Sequence, residues 1–368
     1  MNSKHLDIIS FARQTDPAGR RLISQRSVLN KFKNQYDLYK IKTLELLAVE
    51  KPADITALLK ISIRELEEVI NYPTYNTFPV AKKKGGNRII SAPEGLLKYT
   101  QKRLNRFLQS YYYCIKPPEV HGFNINPMPR KEKHCNIVEN ARPHAGKRHL
   151  LNMDIKDFFP SISARRVKEL FLSEYFQYND KIATALALLL TYKRKLPTGA
   201  PTSPVISNFI SLELDSALGG FCRSKSISYT RYADDLSFSA DIPFKKDIIQ
   251  EIKSIIESHH FRVNHQKTRL SGANRKQTVT GLVVNEKVNV DRRYIRKTRA
   301  MLDDSHKNGL AMAAFSHFGI PEVLDENELI FRFKLVLNGR IDFIGQVRGK
   351  EDAGYLKLKE KAMEMGWG

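Results

Sequence analysis

The segment Ile227-Ser-Tyr-Thr-Arg-Tyr-Ala-Asp-Asp-Leu-Ser-Phe-Ser-Ala240 constrains this chain more than any other. It alternates around Ala233-Asp234, with β-branched and aromatic residues on both sides. That pattern predicts a β-hairpin with Asp234 and Asp235 at its tip. Two adjacent carboxylates in such a setting repel each other unless a cation lies between them. A hard divalent ion with oxygen ligands is the natural partner, and Mg²⁺ is the common one where phosphate also binds. Asp is also an ordinary turn residue, so the pair taken alone leaves both readings open.

A third carboxylate has a similar setting. His149-Leu-Leu-Asn-Met-Asp-Ile-Lys-Asp-Phe-Phe159 reads as a strand. Leu151, Met153 and Ile155 share one face and Asn152 and Asp154 the other. Pro160 stops the strand, and Ser163 caps a helix beginning near Ala164. Asp157, three residues after Asp154, faces the other way and is read as structural or as a helix start. Two cations held about 4 Å apart by such carboxylates would activate an attacking oxygen and stabilise a leaving oxygen in phosphoryl transfer.

The charge balance points to a polyanion. Across 368 residues, 61 Lys and Arg face 39 Asp and Glu, a net charge of +22. Nucleic acid is the first candidate partner, an anionic membrane surface the second, and simple solubility the bland alternative. The distribution favours a partner. Residues 82–106 hold eight basic side chains against Glu94, and residues 262–299 hold eleven against Glu286 and Asp291. With 42% hydrophobic and 10% aromatic residues the chain is no disordered basic tail. Its length suits two or so domains. The longest apolar run, Ile182 to Leu190, is far short of a membrane span, and no secretory signal is visible. Cys114, Cys135 and Cys222 have no metal-site spacing and an odd count, as in a reduced cytoplasmic protein.

Coarse elements follow from periodicity. Residues 1–72 read as helical, with a break near Ile61-Ser62 that fits two packed helices or a helix-turn-helix. Phe78 to Pro93 reads as a hairpin turning on Lys84-Gly85-Gly86-Asn87. A helix is expected from Gly95 to Tyr111, and another starts at Ser203-Pro204 with Ser203 as its cap. Ile206, Phe209, Ile210, Leu214 and Leu218 form the stripe of that helix. A helix over 244–259, strands near 261–263 and 278–284, and a basic helix capped by Asp291 and running to about Leu302 complete the reading.

These motifs together resemble reverse transcriptases. Tyr232-Ala-Asp-Asp235 is similar to that family's signature hairpin, and Asp154 to its first metal carboxylate. Leu196-Pro-Thr-Gly-Ala-Pro-Thr-Ser-Pro204 resembles its template- and nucleotide-positioning loop. Asn87-Arg-Ile-Ile-Ser-Ala-Pro93 resembles the segment bearing the fingers arginine, and Asn264-His-Gln-Lys-Thr268 the late palm motif. The five stand in the family's order over about residues 75–285. Asn140-Ala-Arg-Pro-His144 and Val279-Thr-Gly281 further resemble two short motifs of the bacterial retron enzymes.

The resemblance implies roles. Asp154, Asp234, Asp235 and the carbonyl of Ile155 would hold two Mg²⁺ ions, with Mn²⁺ as a substitute. Arg88 presents a planar fork to the triphosphate of a deoxynucleotide, with Lys82, Lys83 and Lys84 as further cations or as a solvated run. Phe159 stands where the family places the ring that excludes a ribose 2′-OH; a core role is the alternative for it or for Phe158. Tyr232 supports the primer end or packs beneath the Asp tip. Lys267 is the candidate general acid for pyrophosphate departure, or a phosphate partner. Gly199 and Ala200 let backbone approach the base pair. Thr198 stands where many members carry glutamine, which removes a side-chain amide contact to the nucleotide. Asn140 and His144 are candidate RNA contacts. So are Arg292, Arg293, Arg296, Lys297 and Arg299, which would track a phosphate backbone from the basic helix.

The implied fold is α+β, a right-hand polymerase with fingers, an antiparallel-sheet palm and a helical thumb. Residues 1–72 would form an N-terminal helical region, 73–285 fingers and palm, and 286–368 the thumb and C-terminal RNA-binding region. The implied reaction copies a dedicated structured non-coding RNA into RNA-linked single-stranded DNA, primed from an internal guanosine 2′-OH. Its setting would be anti-phage defence beside a separate effector protein, with no membrane partner. The alternatives are an intron-encoded or abortive-infection type reverse transcriptase, and an RNA-scaffolding module on a polymerase fold.

Overall fold

The computed structural model describes residues 38–82, 85–125, 135–318 and 325–364. The chain divides into two compact units. The first comprises Met1–Asn136, Asn152–Phe238 and Phe244–Arg269; the second comprises Ile137–Leu151, Ser239–Pro243 and Leu270–Gly368. No described helix is long and apolar enough to cross a membrane.

Among the described residues the first unit begins with α1 (Leu38–Leu47), α2 (Pro52–Leu59) and α3 (Ile63–Asn71). The expected break lies between α2 and α3. Lys60 takes a left-handed φ of 55° and ends α2. Ser62 and Glu65 then exchange reciprocal capping hydrogen bonds that start α3. The remainder of the expected helical region, 1–37, lies outside the described residues, as do Lys83 and Lys84. Strands β1 (Tyr75–Ala81) and β2 (Asn87–Pro93) pair antiparallel with Phe78 opposite Ile90. Gly85 and Gly86 both have positive φ in the turn, which is why glycine serves there.

Helix α4 (Gly95–Ile115) buries Leu97, Leu104 and Leu108. Helix α5 (Ile137–Ala141), of the second unit, precedes β3 (His149–Asp154). Then come α6 (Ala164–Leu172), α7 (Asp180–Leu190), α8 (Ser203–Ile210), α9 (Leu212–Ser224), β4 (Ser228–Tyr232), β5 (Asp235–Ala240), α10 (Lys246–Ser258) and β6 (Arg269–Gly272). The main sheet has the order β4-β5-β3-β6. The first unit's core gathers aromatic rings: Phe176 lies within 5.2 Å, centroid to centroid, of Tyr111, Phe171 and Phe209.

The second unit adds β7 (Thr278–Val279), β8 (Leu282–Val283), α11 (Arg292–Asn308), α12 (Leu310–Phe318), α13 (Glu326–Arg348) and α14 (Ala353–Met363). Its core packs Leu302, Phe333, Leu337 and Ile344 with Val279 and Leu150. The side chain of Asp291 caps α11 by accepting the Arg293 N–H.

Several expected boundaries shift, and four of the shifts have a plain local reason. The strand from His149 ends at Asp154, not Phe159. Ile155 makes a single bridge to Val263, and Asp157 then takes a φ of +49°. The chain coils there, with the Ser161 N–H donating to the Asp157 carbonyl at 2.8 Å. Residues 261–263 contribute only that bridge rather than a strand. Helix α8 is capped at Thr202 instead of Ser203, whose hydroxyl donates to the Pro197 carbonyl at 2.6 Å. The stretch 278–284 is a small hairpin rather than one strand. Thr280 and Gly281 both have positive φ, the requirement of a two-residue type I′ turn.

Candidate active site

The turn between β4 and β5 carries Asp234 and Asp235, as the alternation predicts. Its two-residue loop has positive φ at Ala233 (60°) and none at Asp234, the sign pattern of a type II′ turn. Glycine is the default residue at the first position of that turn, so Ala233 is strained.

Hydrogen bonds bring the end of β3 to this turn. The Ile155 N–H donates to the Asp234 carbonyl at 2.9 Å. On the other side, the Asn264 N–H donates to the Asp154 carbonyl and the Lys156 N–H to the Arg262 carbonyl. The Ile155 carbonyl takes part in neither bond. Between neighbouring strands, the Ser237 hydroxyl donates to Asn152 Oδ1 at 3.1 Å.

Asp154 turns both carboxylate oxygens to partners from the segment 264–268. Lys267 Nζ donates to Oδ1 at 2.6 Å, and Asn264 Nδ2 to Oδ2 at 3.2 Å. The ion pair holds the Lys267 ammonium above its ordinary range, burial opposing and the three carboxylates adding to the effect. Asp234 is pushed up by burial and by the charge of Asp154, with Lys267 and Arg88 pulling the other way. Asp235 is pushed up to about 6 by burial, then by Asp234 and Asp154. Asp154, Asp234, Asp235, Lys267 and Arg88 therefore share one electrostatic site in the first unit.

That site suits a hard cation. Its anionic donors are carboxylate oxygens, and their mutual repulsion is what added positive charge would relieve. Among the described residues no three carboxylate, imidazole or thiolate groups converge into a finished ligand shell. Lys267 supplies the positive charge next to Asp154 instead.

Other expected residues fall around this centre. Phe159 is half-buried, its ring 5.6 Å from that of Phe158 and 5.8 Å from that of Phe123. Phe158 is the buried member of the pair and packs on Phe261. Gly199 has a φ of 126°, and a Cβ there would stand 2.8 Å from Ile90 Cγ2 and 3.0 Å from the Ser91 carbonyl. The Ser91 N–H donates to the Thr198 carbonyl at 2.7 Å. The glycine thus lets the 196–204 loop lie against β2, while Ala200 is buried.

Two of the expected RNA contacts lie inside the fold. Asn140 and His144 are 1% and 0% exposed, and His144 Nδ1 shares a 2.7 Å hydrogen bond with Ser239 Oγ. Groups buried this deeply brace the second unit. Thr280, in the short motif 279–281, likewise donates to the Ile137 carbonyl. The basic residues differ: Arg292, Arg293, Arg296, Lys297 and Arg299 are all exposed on α11. Arg292, Arg293 and Arg296 line an open cavity of about 610 Å³ with Lys276 and Lys287, tempered by Glu286 and Asp291.

A buried set behind the β4–β5 turn was not among the expected site residues: Gly122, Asn208, Asp215 and Arg231. The available signal was a charged residue in the middle of a β-rich alternation, Arg231, and another on the apolar stripe of α9, Asp215.

Among solved structures, that of telomerase from Candida albicans in complex with a fragment of telomeric RNA is similar with a TM-score of 0.45, at 9% identity over 81% of this chain and 64% of that one. The retron Mx65 reverse transcriptase of Myxococcus xanthus is 33% identical over 73% of this chain and 64% of its own length. The retron Ec86 reverse transcriptase of Escherichia coli is 41% identical over 46% of this chain and 53% of its own. The chain thus spans between about half and two thirds of the length of these curated relatives. The family model for reverse transcriptase (RNA-dependent DNA polymerase) matches residues 80–284, more than half of the 368, so the chain belongs to the reverse transcriptase family.

Proposed function

We propose that the chain is the RNA-directed DNA polymerase of a retron. It extends a primer hydroxyl with deoxynucleoside triphosphates along a dedicated structured RNA. Synthesis starts from an internal guanosine 2′-OH and yields RNA-linked single-stranded DNA. The proposed setting is cytoplasmic anti-phage defence with a separate effector protein. The observation that carries the reading is the single electrostatic site formed by Asp154, Asp234 and Asp235 with Lys267 and Arg88; the retron relatives support its finer part. Residues 73–285 are assigned to fingers and palm, 286–368 to the thumb.

Asp154, Asp234, Asp235 and the Ile155 carbonyl are the residues that would hold two Mg²⁺ ions, or Mn²⁺ in their place. When bound, such ions supply positive charge to the reacting phosphate and to the attacking and leaving oxygens. Arg88 offers a guanidinium fork to the triphosphate from β2. Lys267 keeps its proton under the influence of Asp154 and can pass it to the departing pyrophosphate. Phe159, braced by Phe123 and Phe158, presents a ring to the sugar. The exposed arginines of α11 bind RNA phosphates by charge and shape.

Sequencing the nucleic acid that co-purifies with the protein tests this reading. One abundant RNA joined to a short single-stranded DNA is expected, and it should vanish in Asp234→Asn/Asp235→Asn. A mixed RNA population with no linked DNA would overturn the retron assignment. Primer extension would then separate a general reverse transcriptase from an RNA scaffold.

A further inference from the structure

Arg231 lies in the middle of β4 with its side chain 0% exposed, and so does Asp215 on α9. The guanidinium meets the carboxylate as a fork: Nε donates to Oδ1 at 2.7 Å and Nη2 to Oδ2 at 2.6 Å. Its remaining nitrogen, Nη1, donates to Asn208 Oδ1 at 3.0 Å and to the Ala233 carbonyl at 3.1 Å. The Tyr229 hydroxyl donates to Asp215 Oδ1 at 2.8 Å. Asn208 also reaches the other flank, where its Nδ2 donates to the Gly122 carbonyl at 3.0 Å. Gly122 packs so tightly on the turn that a Cβ there would stand 2.4 Å from the Ala233 nitrogen. Backbone bonds on either side of Val120 lock the same segment to β4, from the Arg231 N–H to the Glu119 carbonyl and from the His121 N–H to the Arg231 carbonyl.

The Ala233 carbonyl belongs to the peptide whose nitrogen is that of Asp234. Whatever orients that carbonyl orients the start of the Asp234 residue. Strained turns persist where their surroundings over-determine them, and here the contacts come from both sides of Ala233. An apolar pair would fill the same space without burying charge, but it could not grip a carbonyl.

We propose that Arg231 is a positioning residue for DNA synthesis: held by Asp215 and Asn208, its guanidinium fixes the Ala233–Asp234 peptide and thereby aims the Asp234 carboxylate. The proposal rests on the polymerase reading above.

Three full-length variants test it in single-turnover incorporation on a primed RNA template, beside thermal melts and template-binding measurements. Arg231→Met/Asp215→Leu replaces the pair by apolar side chains of similar size. Arg231→Lys keeps the charge and loses the fork. Asn208→Ala leaves the ion pair intact and frees one end of the frame. The double variant and Arg231→Lys should stay folded and bind template–primer normally, with kcat lower by about 10²-fold and the nucleotide KM nearly unchanged. Asn208→Ala should show the same split with a smaller drop. A folded double variant or Arg231→Lys with wild-type kcat overturns the proposal, and so does an equal loss of template binding. If the Arg231 variants unfold, Asn208→Ala decides, and wild-type kcat in it refutes the positioning role. A folded wild-type protein that incorporates nothing would instead bring down the polymerase reading, and the proposal with it.

Discussion

Removing one member of the Asp215–Arg231 pair should cost far more stability than removing both. Arg231→Met deletes four hydrogen bonds, to Asp215 Oδ1 and Oδ2, Asn208 and the Ala233 carbonyl. It leaves a fully buried carboxylate with the Tyr229 hydroxyl. Burial alone would lower the Arg231 pKa, but Asp215 raises it overall, so the guanidinium keeps its charge. Breaking a buried pair on one side costs about 3–5 kcal/mol. That is a large part of the roughly 5–15 kcal/mol that holds a typical domain together. At about 2–4 °C per kcal/mol for a unit of this size, the melting temperature should fall by roughly 10 °C. Asp215→Leu, which strands the guanidinium, should cost a similar amount. Arg231→Met/Asp215→Leu strands neither charge and should lie within about 1 kcal/mol of wild type, or above it. Urea titrations of the four proteins, followed by circular dichroism, close the double-mutant cycle. The coupling should be several kcal/mol, far outside the roughly 0.5 kcal/mol expected of independent sites. Single variants as stable as wild type, or a double variant that loses the sum of the two, would refute the reasoning.

Three further outcomes follow from the site and its surroundings. Because Asp235 is pushed up to about 6, the folded chain holds its proton more tightly than the unfolded chain, whose Asp titrates near 4. Metal-free stability should therefore fall as pH rises from about 4 through 6; Asp235→Asn should melt higher than wild type above pH 6 and equally near pH 4, in melts run with chelator. Gly122→Ala places a Cβ against the turn backbone and should sharply reduce incorporation in primer extension, whereas Gly220→Ala, with open space around it, should leave incorporation intact. Arg293→Ala/Arg296→Ala should weaken RNA binding and flatten its salt dependence by about 0.7–0.9 in log–log slope for each phosphate no longer neutralised, read by filter binding across a salt series.

The fold class was legible in the sequence because its determinants are local. Alternation around Ala233-Asp234, glycines at 85 and 86, and Ser163 ahead of α6 each encode their element within a few residues. The α+β right-hand polymerase fold of the family follows from such pieces in order. The errors have two causes, local backbone turns that no residue type announces and contacts made only on packing. Nothing near Phe159 announces that Asp157 takes a positive φ, and the Ser203 hydroxyl is claimed by the Pro197 carbonyl rather than by its own helix. Asn140 and His144 occupy a motif that looks like a contact surface, yet polar residues that brace a core look the same in one dimension. The placement of the three carboxylates was legible, since Asp234 and Asp235 lie at the tip of a readable hairpin and Asp154 on a readable strand. Arg231 was not, because its partners Asp215 and Asn208 lie 16 and 23 residues away and only packing brings them together.

The same contrast explains why an alanine can stand at position 233. Glycine would take a φ of +60° without steric cost, but it would also let the turn sample other shapes. Alanine makes that conformation costly by about 1–3 kcal/mol and survives only if neighbours hold it there. Arg231 grips its carbonyl and Gly122 closes on its nitrogen, so the glycine needed for close approach has moved to the flanking strand-like segment. Asp234 is then carried by a turn with little freedom, next to a carboxylate whose own oxygens are held by Lys267 and Asn264. The Asp154 carboxylate, held by both oxygens, does not swing away to relieve the repulsion. The remaining relief is a cation, or protonation, toward which burial and then the charges of Asp234 and Asp154 push Asp235.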